Sequence, residues 1–302
     1  MPYPSPITYP SRLLYPGVTD REFSLSPIAI GDLLLNAIDD NGTRWVVQKF
    51  EGWGSPASSA QFTQRARGHG STASEAFYLD RVMVIEGLIL TEAPELLSAA
   101  IDLLNASVTL EQFTMIVSET GYVRHTLAQR QGEVLITRFN NRQARFSIQV
   151  VATDPRKFGE LISKSTPLPS SSGGATYPLT YPKTYTGVSE TGVIQLTNTG
   201  NTQAPVWLRV DGPVPAGGWT VTHVGKKQSL TFATSLALTS GEFITVDMDR
   251  REVLAQGQAA RAGYVTSRGW FSLDPGVNDI AFSAANYSAA AQLTVTTKPA
   301  WS

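Results

Sequence analysis

The sequence contains no cysteine, which excludes disulfides, thiolate metal ligands and a cysteine nucleophile, and suits a chain made in a reducing compartment. Long hydrophobic runs are missing too: none approaches the ~20 residues needed to span a bilayer, so no membrane insertion is expected. Charge of one sign is also lacking, since 24 basic and 25 acidic side chains leave a formal charge of -1. Without a cation excess to hold phosphates through counterion release, strong DNA binding is not expected. Histidine is scarce, with His69, His125 and His223 far apart in sequence. None belongs to a zinc-type His-Glu-x-x-His helix, and no Gly-x-Ser-x-Gly elbow or phosphate-binding loop occurs. The expectation is no catalytic residue, no metal and no cofactor. Asp247-Met248-Asp249 is flanked by Arg250 and Arg251 rather than by the further oxygens calcium needs, and reads as a charged hairpin turn. His69, between two glycines, reads as a ring that satisfies loop carbonyls. The opening Met1-Pro2-Tyr3-Pro4-Ser5-Pro6 has no basic stretch followed by an apolar core, and points to synthesis in a cytoplasm.

What is present is ordinary globular composition. In 302 residues, 42% are hydrophobic and 16% charged, enough for two compact domains with separate cores. Leu33-Leu34-Leu35 leads to Asp39-Asp40-Asn41-Gly42, whose Asn-Gly pair favours a tight hairpin turn, and Trp45-Val46-Val47 resumes a strand. Gly52-Trp53-Gly54-Ser55-Pro56 and Arg65-Ala66-Arg67-Gly68-His69-Gly70 read as turns without regular structure. Residues 81–90 form a short apolar strand. From Thr91, taken as an N-cap, Leu96, Leu97, Ala100, Ile101 and Leu104 recur at helical spacing. Over 113–152 the pattern alternates again, and Asn140-Asn141-Arg142-Gln143 makes a hairpin between 134–139 and the strand that carries Ala144, Phe146, Ile148 and Val150.

Pro167-Leu168-Pro169-Ser170-Ser171-Ser172-Gly173-Gly174 has linker composition. The domains are therefore placed at 1–165, with a linker and connecting strand at 166–190, and 191–302. Beyond the linker the turn spacing suits an antiparallel sandwich of nine strands, at 193–196, 206–210, 219–223, 229–232, 243–246, 252–254, 268–273, 279–282 and 291–296. Trp207, Phe232, Phe271 and Phe282 are expected between its sheets.

The order of these fragments resembles the distal tail protein, or Dit, family of long-tailed phages, also known as minor tail proteins. In the first domain the resemblance rests on Gly52-Trp53-Gly54-Ser55-Pro56, Gly68-His69-Gly70, Arg81, Gly87, the helix after Thr91 and Ala152-Thr153-Asp154-Pro155-Arg156-Lys157-Phe158-Gly159. In the second it rests on Tyr177-Pro178-Leu179-Thr180-Tyr181-Pro182, Asn198-Thr199-Gly200-Asn201, Ala204-Pro205-Val206, Gly212-Pro213-Val214, Gly241-Glu242 and the 270–278 run. It implies a mainly β protein: an N-terminal β-sandwich-type ring domain with one α-helix, then a galectin-like antiparallel β-sandwich. It further implies a virion structural protein at the distal end of the tail that catalyses nothing. The resemblance implies, finally, that six copies form a ring joining the tail tube protein to a hub or fibre protein, with the tape-measure protein a further neighbour and DNA only in transit through the channel.

Between residues 121 and 157 the basic side chains Arg124, Arg130, Arg138, Arg142, Arg145, Arg156 and Lys157 face only Glu133 and Asp154. The first five are the candidate ring interface, set against an acidic neighbour or the channel; a solvated strand face is the plainer reading. The alternative function is a carbohydrate-binding adhesin, for which Trp207, Trp219 and Trp301 are the candidate contacts to sugar or partner.

Overall fold

The computed structural model describes residues 26–172 and 188–302. The expectations for residues 1–6, for the end of the linker at 173–174 and for 177–182 fall outside them. The described residues form two compact units that divide after Gly159, a few residues before the expected boundary.

The first unit runs β1 (Ile28–Ile30), β2 (Leu33–Leu35), β3 (Ala37–Ile38), β4 (Arg44–Glu51), β5 (Ser58–Ser59), β6 (Phe62–Gln64), β7 (Ser71–Ala73), β8 (Phe77–Tyr78) and β9 (Arg81–Leu90). Then come α1 (Pro94–Ser107), β10 (Phe113–Glu119), β11 (Tyr122–Arg130), β12 (Leu135–Asn140), β13 (Gln143–Ala152) and β14 (Lys157–Phe158). The main sheet has the order β2-β1-β10-β11-β13-β9-β4-β3, with β12 paired only to β13. Its two ends, β2 and β3, are consecutive in the chain, so the sheet folds back on itself at Asn36. That residue takes the left-handed conformation at φ 56, which asparagine tolerates better than most residues. Its Oδ1 accepts the Val47 amide at 2.7 Å and its Nδ2 donates to the Ser26 carbonyl at 3.2 Å, fixing the corner. Trp45, Met83, Ile85, Phe146 and Ile148 are buried in the enclosed core. The alternation of apolar residues on β9 and β13 places them there.

The Asn41-Gly42 hairpin forms as the dipeptide implies, with Gly42 at φ 79. Asp39 Oδ1 accepts the amides of Asn41 and Thr43, both at 2.9 Å, and its Oδ2 accepts Trp45 Nε1 at 3.2 Å. In α1, Leu97, Ala100, Ile101 and Leu104 are the buried stripe, set against β2 and β9. The expected N-cap is corrected. Ala93 holds that position without a side-chain bond, because the Thr91 hydroxyl donates instead to the carbonyls of Ala93 and Arg142.

The second unit is an antiparallel sandwich. It contains β15 (Ile162–Pro167), β16 (Ser170–Ser172), β17 (Val188–Glu190), β18 (Val193–Asn198), β19 (Val206–Asp211), β20 (Trp219–His223) and β21 (Gln228–Phe232). After these come β22 (Phe243–Asp247), β23 (Glu252–Ala255), β24 (Ala259–Ala260), β25 (Val265–Arg268), β26 (Gly276–Ala284), β27 (Gln292–Thr297) and β28 (Ala300–Trp301). One sheet is β15-β27-β19-β22-β23-β24 and the other β18-β26-β20-β21-β25. Since β15 pairs with β27 along its whole length, residues 162–167 belong to this sandwich. Three details depart from expectation, the first being that the two sheets hold eleven strands rather than nine. Residues 269–272 are irregular rather than strand, with Leu273 held only by a bridge to Ala204. Trp207 is half-buried, being out of phase with the inward-facing Val206, Leu208 and Val210.

Candidate assembly interface

Between Trp53 and Asp80 the chain leaves the sandwich as an arm. β5 pairs only with β8, and β6 only with β7, so the arm is a ribbon of two short strand pairs; the glycine-rich stretches at 52–56 and 65–70 are irregular, as expected, and form its root and its tip. Every residue from 61 to 80 is exposed. Phe62 is 70% and Phe77 63% exposed, and Tyr78 and Leu79 are open as well. The Arg65 amide donates to the Gly70 carbonyl at 3.2 Å, closing a tip that carries Arg65, Arg67 and His69. The expectation that His69 satisfies buried carbonyls is corrected: it is exposed on this tip. Two-stranded ribbons are marginal in water on their own, and an exposed aromatic group of this kind marks an interaction surface.

The arm springs from a buried clamp. Gly52, at φ 84, turns its carbonyl inward with those of Trp53 and Gly54. A Cβ at Gly52 would lie 2.0 Å from the Val82 carbonyl oxygen. Arg81, 1% exposed, donates through Nη1 to the carbonyls of Gly52 and Trp53 at 2.9 Å each, and to that of Gly54. Its Nε donates to the Pro155 carbonyl at 2.9 Å. Lys157, also buried, donates to the Trp53 carbonyl at 3.0 Å and that of Gly54 at 3.4 Å. Both cations lie over the Trp53 ring, at 5.9 and 5.4 Å from its centroid, an arrangement its quadrupole favours. The three first-domain fragments Gly52-Trp53-Gly54, Arg81 and Pro155-Arg156-Lys157 thus converge on the arm's root.

Burial pushes the Lys157 ammonium down to about 8, with Arg81 and then Arg124 adding to the effect and Glu119 opposing it. Burial also lowers the Arg81 pKa. In the unfolded chain Lys157 titrates near 10.5; between about 8 and 10.5 the unfolded state therefore binds more protons, and stability rises with pH. Compared with Lys157→Met, the wild-type protein is expected to gain roughly 1–3 kcal/mol between pH 8 and 10.5. Paired urea titrations across that range measure it; a constant difference would show that the ammonium titrates normally.

The five candidate arginines divide. Arg138, Arg142 and Arg145 sit together, exposed, on the β12–β13 hairpin. Arg138 donates to Ser98 Oγ at 3.3 Å, and Arg145 lies over the Phe139 ring at 5.8 Å. On β11, Arg124 and Arg130 are half-buried, and Arg124 pairs with Glu119 at 2.9 Å. β12 presents an unpaired strand edge with Leu135 and Phe139 exposed, the kind of edge other chains add to.

In the second unit the tryptophans are mostly engaged. Trp219 is 1% exposed and stacks on Phe232 with centroids 3.7 Å apart, so it has no free face for a sugar, contrary to its candidacy. Trp207 and Trp301 are half-buried, and Trp207 Nε1 donates to Asp247 Oδ2 at 3.0 Å. An open cleft of about 370 Å³ runs along β20 and β21, lined by Gly217, Gly218, Thr220, Thr231, Thr234 and Ser283 among others. No acid or base lines it. His223 is fixed in a network: its Nδ1 accepts the Lys226 amide at 3.2 Å, which leaves Nε2 to donate to Asn278 Oδ1 at 3.0 Å. Among the described residues no group of three or more His, Cys, Asp or Glu is placed to hold a metal.

Residues 199–301 match the family described as siphovirus-type tail component, C-terminal domain. The fold is shared with the crystal structure of SPP1 Dit (gp 19.1), described as a paradigm of the hub adsorption apparatus in phages infecting Gram-positive bacteria. The TM-score is 0.61 at 13% identity, covering 83% of this chain and 92% of that one. A chain of the phage P2 baseplate in its activated conformation with Ca superposes at 0.47 with 10% identity, over 90% and 97% of the two chains. No curated protein matches. The fold is thus that of SPP1 Dit, and residues 199–301 carry a siphovirus-type tail component domain.

Proposed function

We propose that six copies close into a ring through their first units, and that the ring joins the tail tube to the tip or baseplate hub while leaving a channel for DNA in transit. The supporting observation is the arm at 57–79, held by a buried clamp at its root yet covered by nothing among the described residues of its own subunit. The unpaired edge of β12 is a second unfilled surface. Ring closure needs two different patches that meet across a rotation, and a projecting ribbon on an otherwise closed sandwich supplies one of them. The tail tube protein lies on one side and a hub or fibre protein on the other, with the tape-measure protein a further neighbour. Synthesis takes place in the host cytoplasm, and no reaction is catalysed. No helix among the described residues is long and apolar enough to cross a membrane.

Multi-angle light scattering is expected to give six times 32.6 kDa, about 196 kDa, with rings visible by electron microscopy. A strict monomer at high concentration, together with tail tips that hold other than six copies, would defeat the proposal.

A further inference from the structure

Charge in the first unit is segregated along the chain. Residues 82–123 contain no Lys, Arg or His, but six acids: Glu86, Glu92, Glu95, Asp102, Glu111 and Glu119. Two of these are neutralised within the subunit, Glu86 by Lys49 at 3.7 Å and Glu119 by Arg124 at 2.9 Å. The other four are exposed on α1 and its flanking loops, and α1 has no basic residue in its last turn. The same surface leaves Leu103 38% and Leu110 73% exposed. It is therefore acidic with an apolar centre, and Arg138, bound to Ser98, lies on its flank beside β12.

The arm has the opposite character. Phe62, Phe77 and Tyr78 are its apolar body, and Arg65 and Arg67 its tip, with Glu75 the single acid between residues 57 and 79. Its strands pair only with one another, so the subunit's own α1 does not cover it. Each surface has what the other lacks.

We propose that the arm of one copy lies across α1 of the next. Phe62 and its aromatic neighbours cover Leu103 and Leu110, while Arg65 and Arg67 meet Glu95, Asp102 and Glu111. This names the contact behind the ring reading above and rests on it. The occupant is a second copy because both complementary patches are on one chain. Being different patches, they form a heterologous contact, which repeats around an axis and closes. Opposite charge at the rim fixes register and speeds encounter, and a contact of that kind weakens with salt.

The lack of native cysteine makes the test direct. Full-length Phe62→Cys and Leu103→Cys variants are purified separately, mixed, and treated with a short bis-maleimide. The expected main product is the mixed 62–103 dimer, and a chain with both substitutions gives a ladder. Arg65→Glu with Arg67→Glu is expected to lower the mixed product at least about tenfold, through like-charge contacts. Adding Glu95→Lys and Asp102→Lys to the partner restores it. Absence of the 62–103 product, or products joining only like positions, overturns the proposal even where scattering finds a hexamer. A 62–103 product whose ladder does not close at six leaves this contact standing and overturns the hexameric ring.

Discussion

Arg81→Met is expected to lower the stability of the first unit by about 2–4 kcal/mol, seen as an earlier urea transition in tryptophan fluorescence. The guanidinium satisfies the carbonyls of Gly52, Trp53, Gly54 and Pro155 from a fully enclosed position. Methionine fills similar space but donates nothing. Lys157 still reaches Trp53 and Gly54, whereas Gly52 and Pro155 lose the partner that Arg81 provides. A bond to a charged donor contributes about 1.5–3 kcal/mol, and a buried carbonyl left unpaired costs about 1–3. Part of the loss is offset because a buried cation no longer has to be desolvated, which is why the four bonds do not simply add. Arg81→Lys retains the charge, but a single ammonium cannot donate to the loop and to Pro155 from the fork geometry of a guanidinium; it should fall between wild type and Arg81→Met. A midpoint for Arg81→Met within 0.5 kcal/mol of wild type, by the usual scale for surface changes, would show that the clamp holds nothing.

The same cluster shows which parts of the molecule were legible in the sequence. Patterns that repeat over a few residues could be read: the Asn41-Gly42 turn, the α1 stripe, the β12–β13 hairpin and most strands of the second unit follow from alternation and turn chemistry. The clamp joins Arg81 to a carbonyl 74 residues away and Lys157 to one 104 residues away, and no local period encodes such distances. Its fragments were visible only as glycine and proline turn markers. The arm escaped for a different reason. Phe62, Phe77 and Tyr78 lie among serine, alanine, threonine and glycine, too sparse to alternate, so the ribbon's exposure follows from its having no sheet to join. Asn36 gave no sign of its corner, since a left-handed asparagine looks like any other. Trp207 was legible after all: Val206, Leu208 and Val210 fix the inward phase, which excludes the residue between them. The candidate arginines followed composition along the chain, and composition does not distinguish the half-buried Arg124 and Arg130 from the exposed hairpin three.

In the second unit, Asn198→Ala is expected to cost about 3–4 kcal/mol. Asn198 is 1% exposed and uses its whole amide: Nδ2 donates to the carbonyls of Thr202 at 2.8 Å and Leu273 at 3.2 Å, while Oδ1 accepts the amides of Gly200 at 3.0 Å and Ala300 at 3.2 Å. One side chain thus ties the end of β18 to the turn after it, to the irregular stretch before β26 and to β28. The packing there leaves no slack, because a Cβ at Gly200 would lie 1.7 Å from the Ala300 carbonyl oxygen. Alanine abandons four backbone groups inside the protein at about 1–3 kcal/mol each when fully unpaired, with the sum reduced because they share one site. Asn198→Asp separates hydrogen bonding from shape. It keeps both acceptor bonds but loses the donors and sets a carboxylate against the Thr202 and Leu273 carbonyls, so it should be no more stable than the alanine variant. An Asn198→Asp variant as stable as wild type would mean that the two acceptor bonds alone hold this junction.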